Sequence, residues 1–226
     1  RRSRRCRRPA LPAAVTNPCR VERIAIVGGT HGNELSGVCL VRSWLRESPF
    51  GRFPSLQVET LIGNPRAVEL CRRYVDFDLN RAFSKRLLED YSAAQKSNRW
   101  CEASDSAAYE GKRAHEINAQ IGPRFGASAS DLCIDLHNTT SNFGDGIIIN
   151  NITDTAPENH HWKMQLCAHL AYSRPLAHVI CDNGGDLAEE PFLPLVAKTD
   201  LTFEVGPQAH GTIVAEVVNR QRSVVF

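Results

Sequence analysis

The chain lacks the long apolar segments that membrane proteins require. None of its apolar runs approaches the roughly 20 residues that span a bilayer, and no apolar stretch follows its basic N-terminal residues. These absences argue against a membrane partner and against a secretory signal peptide. Methionine is represented by Met164 alone. Because no initiator methionine is present, we expect the sequence to be a fragment of a longer chain.

The motifs of several hydrolase and redox classes are also absent. The 8 cysteines include no CxxC pair, and the sequence has no GxSxG nucleophile elbow and no HExxH zinc motif. Serine hydrolysis and thioredoxin-like chemistry therefore find no support. Without a secretory signal, cysteines are expected to stay reduced. We expect a cytoplasmic protein, with a nuclear location as the alternative.

Positive charge is concentrated at one end of the chain. Six of the 27 lysines and arginines lie within residues 1–8. The rest of the chain has 21 basic and 25 acidic residues, which gives it a net charge of −4. The acidic body disfavours nucleic acid as a partner. Residues 1–20 are interpreted as a basic, disordered leader, with a transit peptide or a nuclear address as alternatives.

Residues 21–226 read as one α/β domain. Apolar strand-like segments alternate with helical patterns, which favours a mostly parallel or mixed twisted sheet flanked by helices. The strand-like segments are residues 22–27, 56–62, 131–136, 146–150, 176–181 and 199–205. Residues 84–106 are polar and irregular, and we expect a surface excursion there.

Chemically distinctive side chains follow three of the predicted strands. His31 and Glu34 lie in a glycine-rich turn after the first, His137 follows residues 131–136, and Glu204 closes residues 199–205. The carboxyl ends of strands form the active-site edge of open α/β sheets. Two imidazoles and one carboxylate are a catalytic zinc set with an open position for water, and Glu204 is then free to act as a general base.

Each of these features also has an ordinary structural interpretation, as a surface HxxE pair, a hydrogen-bonded histidine or a salt-bridged glutamate. The polar residues between positions 66 and 81 are likewise open to more than one interpretation. Asn80 and Arg81 could bind a carboxylate or form a capped turn. Arg66 could stabilise an oxyanion or cover a helix start, and Asp78 could orient a zinc-bound imidazole.

Five strings of the sequence resemble, in order, those of the aspartoacylase and aminoacylase-3 family, within the zinc carboxypeptidase-like superfamily. The strings are GGTHGNELSG (28–37), NPRAV (64–68), RYVDFDLNR (73–81), DLHNTTSN (135–142) and EVGPQ (204–208). They span most of residues 21–220. The resemblance implies that His31, Glu34 and His137 hold one zinc ion per chain. It also implies that Glu204 is the catalytic base and proton shuttle.

The same resemblance implies the remaining roles. Arg66 polarises the scissile carbonyl, Asn80 and Arg81 bind the substrate carboxylate, and Asp78 supports the first histidine. The family deacylates small-molecule N-acyl amino acids such as N-acetylaspartate. Its members are soluble, intracellular and often oligomeric, which leaves a homo-oligomer open.

Two departures from the family pattern bear on the substrate. Pro194 stands where aspartoacylase has a substrate-binding arginine, and Glu190 where it has a tyrosine. N-acyl amino acids other than N-acetylaspartate are therefore candidates. The C-terminal β domain of the family is also expected to be absent.

Three alternatives to an N-acyl amino acid hydrolase follow from these observations. The same zinc and Asn-Arg groups would serve a carboxypeptidase acting on peptides. Truncation would leave a weakly active zinc-binding or interaction protein. A nucleic-acid-binding function would depend on residues 1–8 alone.

Overall fold

The computed structural model describes residues 21–97, 109–150, 157–182 and 184–226. The predicted leader, residues 1–20, lies outside these ranges. The strands are β1 (Arg23–Gly28), β2 (Gln57–Ile62), β3 (Leu132–Asn138), β4 (Asp145–Asn150), β5 (His178–Asp182) and β6 (Thr199–Val205). The helices are α1 (Leu35–Arg46), α2 (Pro65–Glu69), α3 (Lys85–Ser97), α4 (Tyr109–Ile121), α5 (Pro157–Ser173) and α6 (Ala215–Val225). Within the described ranges, no helix combines the length and apolar character needed to cross a bilayer.

The six strands form one mixed sheet in the order β2-β1-β3-β6-β4-β5. Strands β1, β2, β3 and β6 run parallel, whereas β4 pairs antiparallel with β6 and parallel with β5. The predicted α/β class with a mixed sheet is confirmed. The carboxyl ends of β1, β3 and β6, three adjacent strands, meet at one edge of the sheet.

Apolar side chains cover both faces of the central strands. Ile26 of β1 belongs to a cluster that includes Trp44 of α1 and Val217 of α6. Its neighbours Ala25 and Val27 belong to a second cluster on the other face. Since successive side chains of a strand point to opposite faces, the uninterrupted apolar sequence of β1 is that of a strand buried on both sides.

The expectation of irregular structure over residues 84–106 is wrong for residues 85–97, and residues 98–106 lie outside the described ranges. Helix α3 occupies Lys85–Ser97, and only Leu88 and Tyr91 of this helix are buried. Both side chains join the second cluster, together with Ala114 and Ile117 of α4. Two buried positions in 13 residues give a weak helical period, because most of the other side chains are exposed.

Close backbone packing shapes the turn after β1. Gly29 has a φ of +74°, a conformation that L side chains rarely adopt. A Cβ on Gly32 would lie 2.1 Å from the backbone carbon of Ala67 in α2. That helix begins at Pro65, after Asn64, whose Oδ1 accepts a hydrogen bond from Ala67 N. The turn that carries His31 is therefore held against the start of α2.

Candidate active site

His31, Glu34 and His137 converge at the carboxyl edge of the sheet. Nδ1 of His31 lies 2.7 Å from Oε1 of Glu34, and Nδ1 of His137 lies 3.0 Å from Oε2 of the same carboxylate. All three side chains are buried, and their candidate ligand atoms lie within 4.8 Å of one another. The structure thus brings together the three residues predicted to bind zinc, although Glu34 and His137 are 103 residues apart in sequence.

Each imidazole turns its other nitrogen to a separate carboxylate. Nε2 of His31 lies 3.0 Å from Oδ1 of Asp78, and Nε2 of His137 lies 2.8 Å from Oδ2 of Asp135. Asp135 is fully buried and also accepts a hydrogen bond of 2.7 Å from Thr30 Oγ1. Such partners fix the tautomer of a metal-ligating histidine, so that Nδ1 keeps its lone pair for the metal. Asp78 thus contacts the imidazole that it is predicted to support, and its role toward a metal stays a prediction.

The charges of the site also fit a divalent cation. Burial would raise the pKa of Glu34, but the two imidazoles hold it well below its usual value. Burial opposes protonation of the histidines, yet their carboxylate partners raise the pKa of His31 and hold that of His137 well above its usual value. Carboxylates thus dominate the electrostatics around both rings. Two imidazoles and a carboxylate directed at one point are the donor set of a catalytic zinc site.

Further contacts hold Glu34 in place. Oε2 accepts a hydrogen bond of 2.9 Å from Asn138 N, the residue that follows His137. On the solvent side, Nη1 of Arg73 lies 3.6 Å from Oε1 of Glu34. The same guanidinium donates from Nε and Nη2 to Oδ2 of Asp78, at 3.1 and 2.9 Å. Arg73 therefore joins Glu34, the candidate carboxylate ligand, to the partner of His31.

Glu204 lies beside this group on the neighbouring strand. In the parallel pairing of β3 with β6, it is the direct partner of His137. Burial raises the pKa of Glu204; His137 lowers it and Glu34 raises it, and the net shift is upward. A carboxyl group with a raised pKa, next to a metal site, suits a general base that must later return its proton.

His31, Glu34, Arg73 and Glu204 form one wall of a cavity of about 320 Å³ that opens to solvent. The lining residues are His31, Glu34, Arg73, Asn138, Thr139, Thr140, Ser141, Phe143, Glu204 and His210. The wall of the cavity therefore carries three kinds of polar group: the candidate metal donors, the guanidinium of Arg73 and the hydroxyls of residues 139–141. The cavity volume suits a small molecule.

Arg66 is not among the residues that line this cavity. Its guanidinium carbon lies 5.6 Å from the centroid of the Tyr109 ring, and its backbone N–H donates to the Tyr109 hydroxyl at 3.3 Å. The role of Arg66 in polarising a carbonyl stays a prediction. Arg73, which the sequence reasoning did not single out, is the arginine at the cavity wall.

Asn80 and Arg81 lie on a short 3₁₀ turn that begins after Asp78. Asn80 is buried, and its Oδ1 accepts a hydrogen bond of 2.9 Å from Leu193 N, which leaves its amide N–H groups as the available donors. Arg81 packs its guanidinium over the Phe192 ring at 5.1 Å. Their predicted contact with a substrate carboxylate is not tested by these positions.

The two departures from the family pattern lie away from the cavity wall. Pro194 is buried in a 3₁₀ turn, Leu193–Val196. The carbonyl of Glu190 accepts a hydrogen bond of 2.7 Å from Arg124. Neither residue lines the cavity of about 320 Å³.

Of two further residues at the site, one could have been recognised in the sequence. Asp135 precedes His137 by two positions on a strand, so the two side chains share one face. Arg73 carries no comparable local signal, since Arg72 stands beside it and only the fold distinguishes them.

Comparison with known families places the site in context. Residues 20–226 match the model of the succinylglutamate desuccinylase/aspartoacylase catalytic domain. The chain is 39% identical over 211 residues to mouse aspartoacylase, covering 91% of this chain and 61% of that protein. It is 36% identical over 205 residues to the N-acyl-aromatic-L-amino acid amidohydrolase (carboxylate-forming) of Xenopus tropicalis, with the same two shares. The chain thus spans about three fifths of the length of these relatives.

Solved structures agree with the fold. Murine aminoacylase 3 superposes with a TM-score of 0.75 at 32% identity, over 93% of this chain and 63% of that one. A succinylglutamate desuccinylase from Chromobacterium violaceum gives a TM-score of 0.58 at 18% identity, over 90% of this chain and 62% of that one, and supports the fold alone. The predicted zinc carboxypeptidase-like architecture is confirmed.

Proposed function

Because the chain belongs to the succinylglutamate desuccinylase/aspartoacylase family, we propose that it hydrolyses the amide bond of N-acyl amino acids, with zinc as its cofactor. The products are a carboxylate and a free amino acid. One observation carries this assignment. Nδ1 of His31 and Nδ1 of His137 both face the Glu34 carboxylate, and His31, Glu34 and Glu204 line an open cavity.

His31, Glu34 and His137 would hold the zinc ion, which when bound lowers the pKa of water and polarises a carbonyl. Glu204 accepts the proton of the attacking water and delivers it to the departing nitrogen, which leaves as an amine. Its raised pKa supports both halves of this transfer. Asp78 and Asp135 keep the two imidazoles in the tautomer that leaves Nδ1 unprotonated.

Cationic and amide groups would bind the substrate. Arg73 lines the cavity beside Glu34, where its guanidinium can stabilise the negative charge that develops on the carbonyl oxygen. Arg66 remains the residue predicted from the resemblance for this role. Asn80 and Arg81 are the proposed anchor of the amino-acid carboxylate, to which Asn80 offers its N–H groups.

The test combines metal analysis with turnover. The purified full chain is assayed for zinc and then offered N-acetylaspartate, N-acetylated aromatic and aliphatic amino acids, and dipeptides. We expect one zinc per chain and release of free amino acid. Glu204→Gln should keep its zinc and lose turnover by about 10²–10⁴-fold, while Glu216→Gln, in the first turn of α6, serves as a control.

Four outcomes would contradict this function. A protein without zinc, or a Glu204 variant of unchanged turnover, would exclude the mechanism. Faster cleavage of dipeptides would favour a carboxypeptidase. Zinc at one per chain with no turnover on any substrate would favour a zinc-binding or interaction protein. The cytoplasmic location and a homo-oligomer stay predictions, to be tested by fractionation and light scattering.

A further inference from the structure

Glu110, near the start of α4, is a fully buried carboxylate outside the active-site cavity. Its Oε1 accepts hydrogen bonds from Asn64 Nδ2 at 2.9 Å and from Val75 N at 2.7 Å. Its Oε2 accepts from Asp76 N at 3.0 Å and from Phe77 N at 3.3 Å. A buried carboxylate is tolerated where hydrogen bonds replace its water, and here each oxygen has two donors.

The four donors come from two segments that both carry predicted site residues. Asn64 caps α2, in which Arg66 lies. Residues 75–77 lead directly into Asp78, the partner of His31, and into the turn Leu79–Arg81. The side chain of Glu110 therefore connects these two segments, because both of them donate hydrogen bonds to it.

The residue before Glu110 reinforces the same connection. Tyr109 accepts a hydrogen bond from Arg66 N at 3.3 Å through its hydroxyl, and its own N–H donates to Oδ2 of Asp76 at 2.8 Å. The first turn of α4 thus contacts each of the two segments through both Tyr109 and Glu110. A carboxylate near a helix N-terminus is also stabilised by the helix dipole, so the anchor is compatible with its own helix.

The chemistry of the carboxylate matters, and not only its size. All four partners are N–H donors, and an ionised carboxylate presents only acceptors. An amide of the same shape would direct its NH₂ group at two of these donors in either orientation. The arrangement is therefore specific for glutamate at this position.

We propose that Glu110 is a positioning residue that fixes the Asn80–Arg81 anchor relative to the metal donors, a role that rests on the proposed function. Glu110 touches no substrate atom in this scheme. It acts through the backbone of residues 75–77, whose placement sets where the next turn presents its donors.

The test compares Glu110→Gln with Glu116→Gln. Glu116 lies on the same helix, but its side chain is 62% exposed and pairs with Arg113. Each protein is assayed with an N-acyl amino acid and with its carboxamide analogue, which lacks the anionic group that Asn80 and Arg81 would bind. For Glu110→Gln we expect KM for the carboxylate substrate to rise on the order of tenfold, with kcat changed much less. The carboxamide analogue should be affected little, and Glu116→Gln should behave as the unaltered protein.

Amide hydrogen exchange gives a readout that does not depend on turnover. In Glu110→Gln, the N–H groups of residues 75–77 should exchange faster, while β1 and β3 keep their protection. Unchanged exchange at these amides would overturn the proposal. So would an equal loss on both substrates, because a general structural defect does not discriminate between them.

Two further measurements distinguish a failure of this proposal from a folding defect and from a failure of the proposed function. If Glu110→Gln does not fold, Glu110→Asp, which keeps the acceptors on a shorter side chain, is expected to show the same discrimination to a smaller extent, and its absence would overturn the proposal. If the unaltered protein hydrolyses no N-acyl amino acid, the proposed function fails. Glu110 is then judged by calorimetric binding of the N-acyl amino acid to the zinc-loaded protein, where equal Kd values for the unaltered and variant chains would overturn its role.

Discussion

Oδ2 of Asp135 lies 2.8 Å from Nε2 of His137, and both side chains are buried on one face of β3. The carboxylate determines which ring nitrogen carries the proton, and thereby which one remains free to bind a metal. His31 and Asp78 repeat this arrangement across two loops. Each proposed histidine ligand is therefore oriented by a carboxylate from its other side.

Replacement of Asp135 by asparagine should weaken metal binding without removing a ligand. We expect Asp135→Asn to lower zinc affinity by about 10–100-fold, since the amide holds the imidazole less strongly in the required tautomer. Competition with a chromogenic chelator measures the affinity. Asp182→Asn, at the exposed end of β5, provides the control. Equal affinities for the two variants would show that Asp135 does not orient the ligand.

The two candidate arginines can be separated by paired alanine variants. Arg73→Ala should reduce kcat/KM by about 10²–10³-fold, the range seen when a donor to a developing oxyanion is removed. Arg66→Ala should reduce it only a few fold, because its guanidinium lies over Tyr109 and away from the cavity lining. Steady-state kinetics, with zinc content measured in parallel, show which of the two arginines contributes to turnover. A larger loss for Arg66→Ala would restore the assignment made from the sequence.

A methyl group at position 32 should disturb the turn that carries His31. The added Cβ would lie 2.1 Å from the backbone carbon of Ala67, so that the turn or α2 must move. We expect Gly32→Ala to lower the free energy of unfolding by about 1–3 kcal/mol, measured by urea titration. A Cβ on Gly51 would meet no atom within 4 Å, and Gly51→Ala should leave stability nearly unchanged. Similar losses for both variants would contradict this packing.

Asp131 should make folding stability depend on acidic pH. Its carboxylate accepts hydrogen bonds from Glu22 N, Arg23 N and Lys198 Nζ, at 2.8, 2.9 and 2.8 Å. Burial acts to raise the pKa of Asp131, but Lys198 and the two backbone donors outweigh it and lower the pKa. Asp131 therefore binds a proton less readily in the folded state than in the unfolded state. Its contribution to the free energy of unfolding is fully present above the unfolded pKa of about 3.9.

Asp131→Asn should therefore cost about 1–2 kcal/mol at pH 7. The difference from the unaltered chain should stay constant down to about pH 4 and disappear as the pH falls through the lowered pKa of the folded state. Urea titrations at a series of pH values measure it. A difference that persists at the lowest pH would show that the charge of Asp131 is not its source.

The site was predictable where strand ends carried unusual residues. His31 follows one apolar strand, His137 and Glu204 lie at the ends of two others, and the carboxyl ends of adjacent parallel strands meet at one edge. Local patterns reveal neither strand direction nor strand order, so the antiparallel insertion of β4 between β6 and β5 could not be predicted. Arg73 was missed for a related reason. It differs from Arg72 through its contacts with Asp78, five residues further along the chain, and with Glu34, which is distant in sequence.

His137 and Glu204 are neighbours across two hydrogen-bonded strands, and this has a consequence for how the site can vary. The distance between the proposed ligand and the proposed base depends on main-chain pairing, and not on the intervening residues 139–198. Insertions in that connection can reshape the substrate pocket and leave the reacting groups in place. A single insertion within β3 or β6 would instead turn one of the two side chains to the opposite face. The substrate that the pocket accepts can therefore change while the positions of His137 and Glu204 relative to each other stay the same.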